Sequence, residues 1–145
     1  MYSDEILIKQ AEEEAGDSFH REDLDAALIF AFETLGDAQL EFFVMGKTAQ
    51  SMYEEKFLSG KKIELGVMAR EVTDATRDML KMVNPTIDIQ DKKIIMEHNG
   101  VPIEVKIIKL HYRALDNMDF IQYAYETFLI PNPFDAFIRM SKFLH

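Results

Sequence analysis

The chain has 145 residues, 48% hydrophobic, 29% charged and 11% aromatic, which suits one folded domain with one core and excludes a disordered segment. It has no cysteine, so disulfides, thiolate metal sites and thiol nucleophiles are excluded. With 26 acidic and 16 basic side chains the net charge is −10, which repels phosphate backbones and argues against nucleic acid as a general partner.

The acidic excess is uneven, with nine acids against Lys9 and Arg21 in residues 1–25. That stretch reads as a solvated helix face that could also dock on a basic protein partner. No window approaches the ~18 apolar residues that a membrane span needs, and the acidic start Met1-Tyr2-Ser3-Asp4-Glu5 is unlike a secretory or transit sequence. A cytoplasmic protein without a membrane partner is expected. No repeat, low-complexity tract or Gly/Ser linker interrupts the chain, so one domain over residues 1–145 is expected: a helical acidic segment at 1–38, a sheet core at 40–110 and a closing segment at 111–145.

In chain order, Ser3 can cap a short helix through about Ala15. A second helix from about Glu22 to Leu35 carries Leu24, Ala27, Leu28, Ala31 and Leu35 on one face and should stop at Gly36. Phe42 to Met45 is a short apolar run ending at Gly46, read as a buried strand breaking into a turn. Helical spacing of Ala49, Met52, Tyr53 and Phe57 predicts a helix over 48–57, closed by Ser59 and Gly60. Ile63, Leu65 and Val67 then alternate with Lys62, Glu64 and Gly66, the period of a strand.

Val72, Ala75, Thr76, Met79, Leu80 and Val83 predict a helix that must end before Asn84 and Pro85. After a short strand at 86–89, Ile94 to Met96 and Ile103, Val105 and Ile107 flank Asn99-Gly100. Asn-Gly between two such runs predicts a tight hairpin, because both central residues need positive φ. Residues 112–130 carry no clear pattern. Asn132, Pro133, Phe134, Phe137, Ile138, Ser141 and Leu144 predict a capped closing helix.

The order of these elements places chemistry. A Gly turn leading into a helix can cradle phosphate oxygens, and carboxylates on neighbouring strands can hold Mg²⁺ that bridges a triphosphate and activates an attacking oxygen. Residues i and i+2 of a strand share a face, so two acids one residue apart and a third on the next strand can grip a metal pair.

Met45-Gly46-Lys47-Thr48-Ala49, then Lys62-Ile63-Glu64-Leu65-Gly66-Val67, then Ile103-Glu104-Val105 resembles the nucleotidyltransferase superfamily pattern. That pattern is a glycine turn, an acid-apolar-acid strand and an apolar-acid-apolar strand. The closing Ile130-Pro131-Asn132-Pro133-Phe134-Asp135-Ala136-Phe137 is similar to the end of LicD-like (fukutin-related) and small phage or bacterial nucleotidyltransferase-like proteins. The resemblance spans roughly residues 40–145 and rests on the order and spacing of motifs that are individually weak.

It implies an α/β (α+β) fold, a nucleotidyltransferase-like mixed β-sheet with helices packed on it and a C-terminal helix. It also implies Mg²⁺-dependent transfer of a nucleotidyl or related phosphoryl-linked group from a nucleoside triphosphate to an unknown acceptor. Gly46, Lys47 and Thr48 would lie near phosphates, and Glu64 and Glu104 would be the catalytic, metal-binding acids.

The departures matter for function. Lys62 stands where the first acid of the pair belongs, and Lys47 stands where the pattern has a small residue. An ammonium cannot ligate Mg²⁺; beside Glu64 and Glu104 it would neutralise carboxylate charge and could occupy the cation's place. Two readings follow. One is an Mg²⁺-dependent enzyme. The other is a catalytically degenerate domain, a pseudoenzyme acting as a nucleotide-binding or protein-interaction module with Lys62 substituting for metal charge.

Each candidate also has a plain structural use. Gly46 suits any strand-ending turn, Lys47 any solvated turn, and Glu64 and Glu104 ordinary alternation on a sheet with one wet face, where a salt bridge from Lys62 or Lys106 would be a structural use of the same atoms. His20, His98, His111 and His145 show no metal-ligand spacing and suit the surface. Tyr112, Arg113, Tyr123 and Tyr125 could frame a base or sugar, but aromatics at such spacing are more often core.

Overall fold

The computed structural model describes residues 19–109 and 118–131. The helices expected near residues 3–15 and 132–144, together with His111, Tyr112, Arg113 and His145, lie outside the described residues.

Helix α1 (Arg21–Asp37) forms because Leu24, Ala27, Leu28, Ala31 and Leu35 fall on one face, and all five are buried. It runs past the expected stop at Gly36. The reversal comes at Gln39, whose φ is +59°, and Leu40 N–H closes the end on the Leu35 carbonyl at 2.9 Å, a Schellman-type bond. Strand β1 (Phe42–Val44) leads directly into α2 (Gly46–Glu54), and β2 (Ile63–Met68) follows. A 3-10 turn at Ala69–Glu71 precedes α3 (Asp74–Val83), which starts where the Thr73 hydroxyl accepts the Thr76 N–H at 3.2 Å.

Two-residue β3 (Asp88–Ile89) precedes the expected hairpin, β4 (Lys93–His98) and β5 (Val101–Ile108). Its turn residues Asn99 and Gly100 have φ of +49° and +85°. A second hairpin, β6 (Met118–Tyr123) and β7 (Glu126–Pro131), occupies part of the stretch where the sequence showed no pattern.

The seven strands form one mixed sheet in the order β3-β4-β5-β2-β1-β7-β6. β2 runs parallel to β5 and antiparallel to β1, and β7 joins β1 in parallel through Phe43 and Leu129. Register decides what each face carries. Ile63 pairs with Ile103, Leu65 with Val105, and Met96 with Ile103, all buried. These side chains share the helix-covered face and form one core with Leu28 and Leu35 from α1, Met52 from α2, Leu80 from α3 and Phe128 and Ile130 from β7. Side chains alternate along a strand, so the residues between them face the other way. That places Glu64 and Glu104 on the opposite face. Among the described residues no helix is long and apolar enough to cross a membrane.

Candidate functional site

The candidate residues gather where β1 breaks into α2, above the middle of the sheet. Met45 caps α2 from an extended conformation, and Gly46 has φ +59°, a left-handed backbone that glycine takes without a Cβ penalty. Met45 N–H donates to the Glu64 carbonyl at 3.1 Å, which fixes the turn to β2. Thr48, 1% exposed, holds the same junction from the helix side: its Oγ1 accepts the Glu64 N–H at 2.8 Å. The backbone of Glu64 is therefore tied at both polar groups to the Gly46 turn.

That geometry carries the Glu64 carboxylate onto Gly46. A Cβ at position 46 would lie 1.7 Å from Glu64 Oε2, so only glycine leaves the carboxylate its place. A carboxylate at the amino end of α2 meets the positive end of the helix dipole. Glu64 is directly paired with Glu104 in the parallel β2–β5 ladder, so the two acids stand side by side on adjacent strands about 4.8 Å apart.

The ammonium groups are distributed unequally around this acid pair. Lys62 Nζ lies 3.3 Å from Glu104 Oε2 and Lys106 Nζ lies 3.9 Å from Glu104 Oε1, so both oxygens of Glu104 face a lysine. Lys47 leans away, toward the loop after α2. Its Nζ is 3.8 Å from Glu55 Oε1, Ser59 Oγ donates to Glu55 Oε2 at 2.8 Å, and Gly60 packs by the Lys47 stem. Gly46, Glu64, Glu104 and Lys62 are thus brought together, Thr48 is buried beneath them with its hydroxyl engaged by backbone, and Lys47 stands to one side.

On the β1 side, Phe43 flanks this group. Its ring lies over Gly66, where a Cβ would come within 2.5 Å of the ring, and Phe43 itself is 5% exposed. The apolar run at 42–45 signalled a buried strand but not this role. Gly66 was the available clue, because a glycine inside a strand marks close approach.

The aromatic candidates separate. Tyr125 is fully exposed in the β6–β7 turn, whereas Tyr123 is a clasp: its hydroxyl donates to Asp25 Oδ1 at 2.5 Å and accepts the Leu58 N–H at 3.0 Å. Burial, and then the bond to Asp25, push the Tyr123 phenol up to about 12. Burial, aided by the Asp119 charge, also raises Tyr53. His98 is half-buried and stacks on Phe30 with ring centroids 4.6 Å apart, and His20 is exposed before α1.

The described residues do not by themselves make up a two-metal centre. Among the described residues no group of three or more His, Asp or Glu side chains is placed to hold a metal ion. Position 62, two residues before Glu64 in the same segment, is a lysine, and its ammonium already contacts the second acid.

No protein-family profile matches the sequence, and no curated protein matches it. Among solved structures, the chain is similar to a Thermotoga maritima protein provisionally named a nucleotidyltransferase, with a TM-score of 0.59 and 8% sequence identity over 86% of this chain and 89% of that one. At that identity the likeness concerns backbone architecture alone. The chain has a nucleotidyltransferase-like α/β fold: a seven-stranded mixed sheet with helices packed on it.

Proposed function

We propose that this domain is a catalytically degenerate member of the nucleotidyltransferase fold that binds a nucleotide in the Gly46–Glu64–Glu104 cleft without a divalent metal. The observation that carries this reading is the Lys62–Glu104 contact of 3.3 Å. An ammonium has three donors, so Lys62 can hold Glu104 with one and offer the others to a phosphate oxygen. It is partly exposed, at 41% for the side chain, and so open to a ligand.

A second reading, Mg²⁺-dependent nucleotidyl transfer to an unknown acceptor, draws on the side-by-side register of Glu64 and Glu104. The finer likeness to LicD-like or small phage and bacterial nucleotidyltransferase-like proteins rests on the closing sequence 130–137 and belongs with that reading.

Isothermal titration with ATP, GTP, CTP and UTP, each with and without Mg²⁺, separates the two. Metal-independent binding is expected, with Lys62→Met weakening it by roughly 10-fold or more, the worth of one charge-assisted hydrogen bond. Binding that requires Mg²⁺ and is abolished by Glu64→Gln or Glu104→Gln would favour transfer, and absence of binding by all four nucleotides would sink the nucleotide reading.

A further inference from the structure

Positions 62, 64 and 104 lie together on the sheet face opposite α1, α2 and α3. Glu64 pairs with Glu104 across the parallel ladder, and Lys62, in the bend just before β2, reaches Glu104 with its ammonium at 3.3 Å. Two of the three groups are carboxylates and the third is an ammonium. Glu104, with only 20% of its side chain exposed, is met by Lys62 on one oxygen and Lys106 on the other.

A divalent cation between Glu64 and Glu104 would have to sit within about 2.0–2.6 Å of their oxygens. That is the space on the Glu104 side that the Lys62 ammonium approaches, and the two cations would repel in a partly desolvated setting where screening is weak. We propose that Lys62 is a tethered cation that closes the Glu64–Glu104 pair to divalent metal, so that an acid at position 62 converts the cleft into a metal site. The inference rests on reading this cleft as the domain's ligand site, but it makes no use of nucleotide binding.

The architecture favours such a conversion. The backbone of Glu64 is already held by two hydrogen bonds, Met45 N–H to the Glu64 carbonyl and Glu64 N–H to Thr48 Oγ1. The strand register sets Glu104 beside it. An acid at 62 would add the missing ligand while removing the positive charge that competes for Glu104. Position 62 is half-exposed and outside the core, so the fold tolerates the exchange.

The test uses Mn²⁺ alone, with free Mn²⁺ measured by electron paramagnetic resonance during titration of the wild type, Lys62→Asp, Lys62→Glu and Lys62→Met. Circular dichroism checks that each variant is folded. The wild type is expected to leave Mn²⁺ free, Lys62→Met to bind it weakly, and Lys62→Asp or Lys62→Glu to bind one ion ~10-fold or more tightly than the wild type, because each added carboxylate ligand raises affinity. Adding Glu104→Gln to the tighter variant should abolish the gain.

Wild-type binding as tight as that of the acidic variants, or folded Lys62→Asp and Lys62→Glu proteins that bind no better than the wild type, would overturn the proposal. Failure of nucleotide titration would leave this result untouched, so the two readings fail separately.

Discussion

Gly46 and Glu64 are in van der Waals contact across the β1–α2 turn, and a Cβ on residue 46 would lie 1.7 Å from Glu64 Oε2. Two independent demands meet at position 46, because its φ of +59° also falls where an L side chain is strained. They are separable by mutation. Gly46→Ala should lose about 1–2 kcal/mol for the left-handed backbone, plus a further loss for displacing the carboxylate. In Gly46→Ala/Glu64→Ala the second part should disappear and the first remain, a coupling that a double-mutant cycle on urea unfolding measures directly.

Thr48 makes a second prediction about the same turn. Its hydroxyl is the partner of the Glu64 N–H at 2.8 Å and is almost wholly buried. Thr48→Val keeps the shape and leaves that donor without a partner, at an expected cost of about 1–3 kcal/mol. Thr48→Ser, which keeps the hydroxyl, should cost less. A larger loss from Thr48→Ser than from Thr48→Val in chemical denaturation would show that the methyl group, not the hydrogen bond, holds the turn.

Alkaline pH should loosen the clasp between β6 and α1. The Tyr123 phenol is raised from 10.0 to about 12, first by burial and then by its bond to Asp25. In the unfolded chain tyrosine loses its proton near pH 10, while in the folded protein Tyr123 keeps it, so between those values the folded state binds more protons. Its contribution is therefore fully present below pH 10 and lost as pH rises toward 12. The stability gap between wild type and Tyr123→Phe should shrink across that window. Absorbance titration of the phenolates should lose one late-titrating tyrosine on the substitution, while Tyr53, which is also raised, stays. A gap independent of pH would place the clasp's value in packing alone.

Much of the fold was legible because its signals are local and reinforced by burial. The spacing of Leu24, Leu28 and Leu35 predicts α1, the alternation of Ile63, Leu65 and Val67 predicts β2, and Asn99-Gly100 predicts the β4–β5 turn. Each coincides with buried side chains or with the required positive φ. The β6–β7 hairpin was not legible for a physical reason: its turn places Ala124 and Tyr125 at φ of +50° and +68°, with neither glycine nor asparagine to announce it. β6 also shows no alternation of burial, with Asp119, Phe120 and Gln122 all exposed. The stop of α1 was placed at Gly36 because glycine is the usual terminator, whereas Gln39 takes the left-handed role here.

In the candidate site, the alternation of Glu64 and Glu104 with apolar neighbours was legible, whereas their direct pairing came with the β2–β5 register and the reach of Lys62 to Glu104 with the bend before β2. The partners of Lys47 and Tyr123 were not legible. Glu55 reaches Lys47 from the far end of the same short helix, and Asp25 reaches Tyr123 from an element near the other end of the described chain. Such pairings depend on how a loop returns or how separate elements dock, which residue spacing does not encode.

Strand β1 is only three residues long, with β2 on one side and β7 on the other. Its second neighbour comes from near the end of the described chain, so closing that pair costs loop entropy that local hairpins do not incur. The β4–β5 hairpin and α1 can organise from nearby residues, and β2 can then add beside β5. The strand that aims Gly46 at Glu64 gains its outer neighbour only when β7 arrives. The Gly46–Glu64 contact closes a shorter loop than the Glu64–Glu104 pairing, so on loop entropy alone the turn above Glu64 is the cheaper of the two to form, and β7 adds only the outer support of the strand that leads into it.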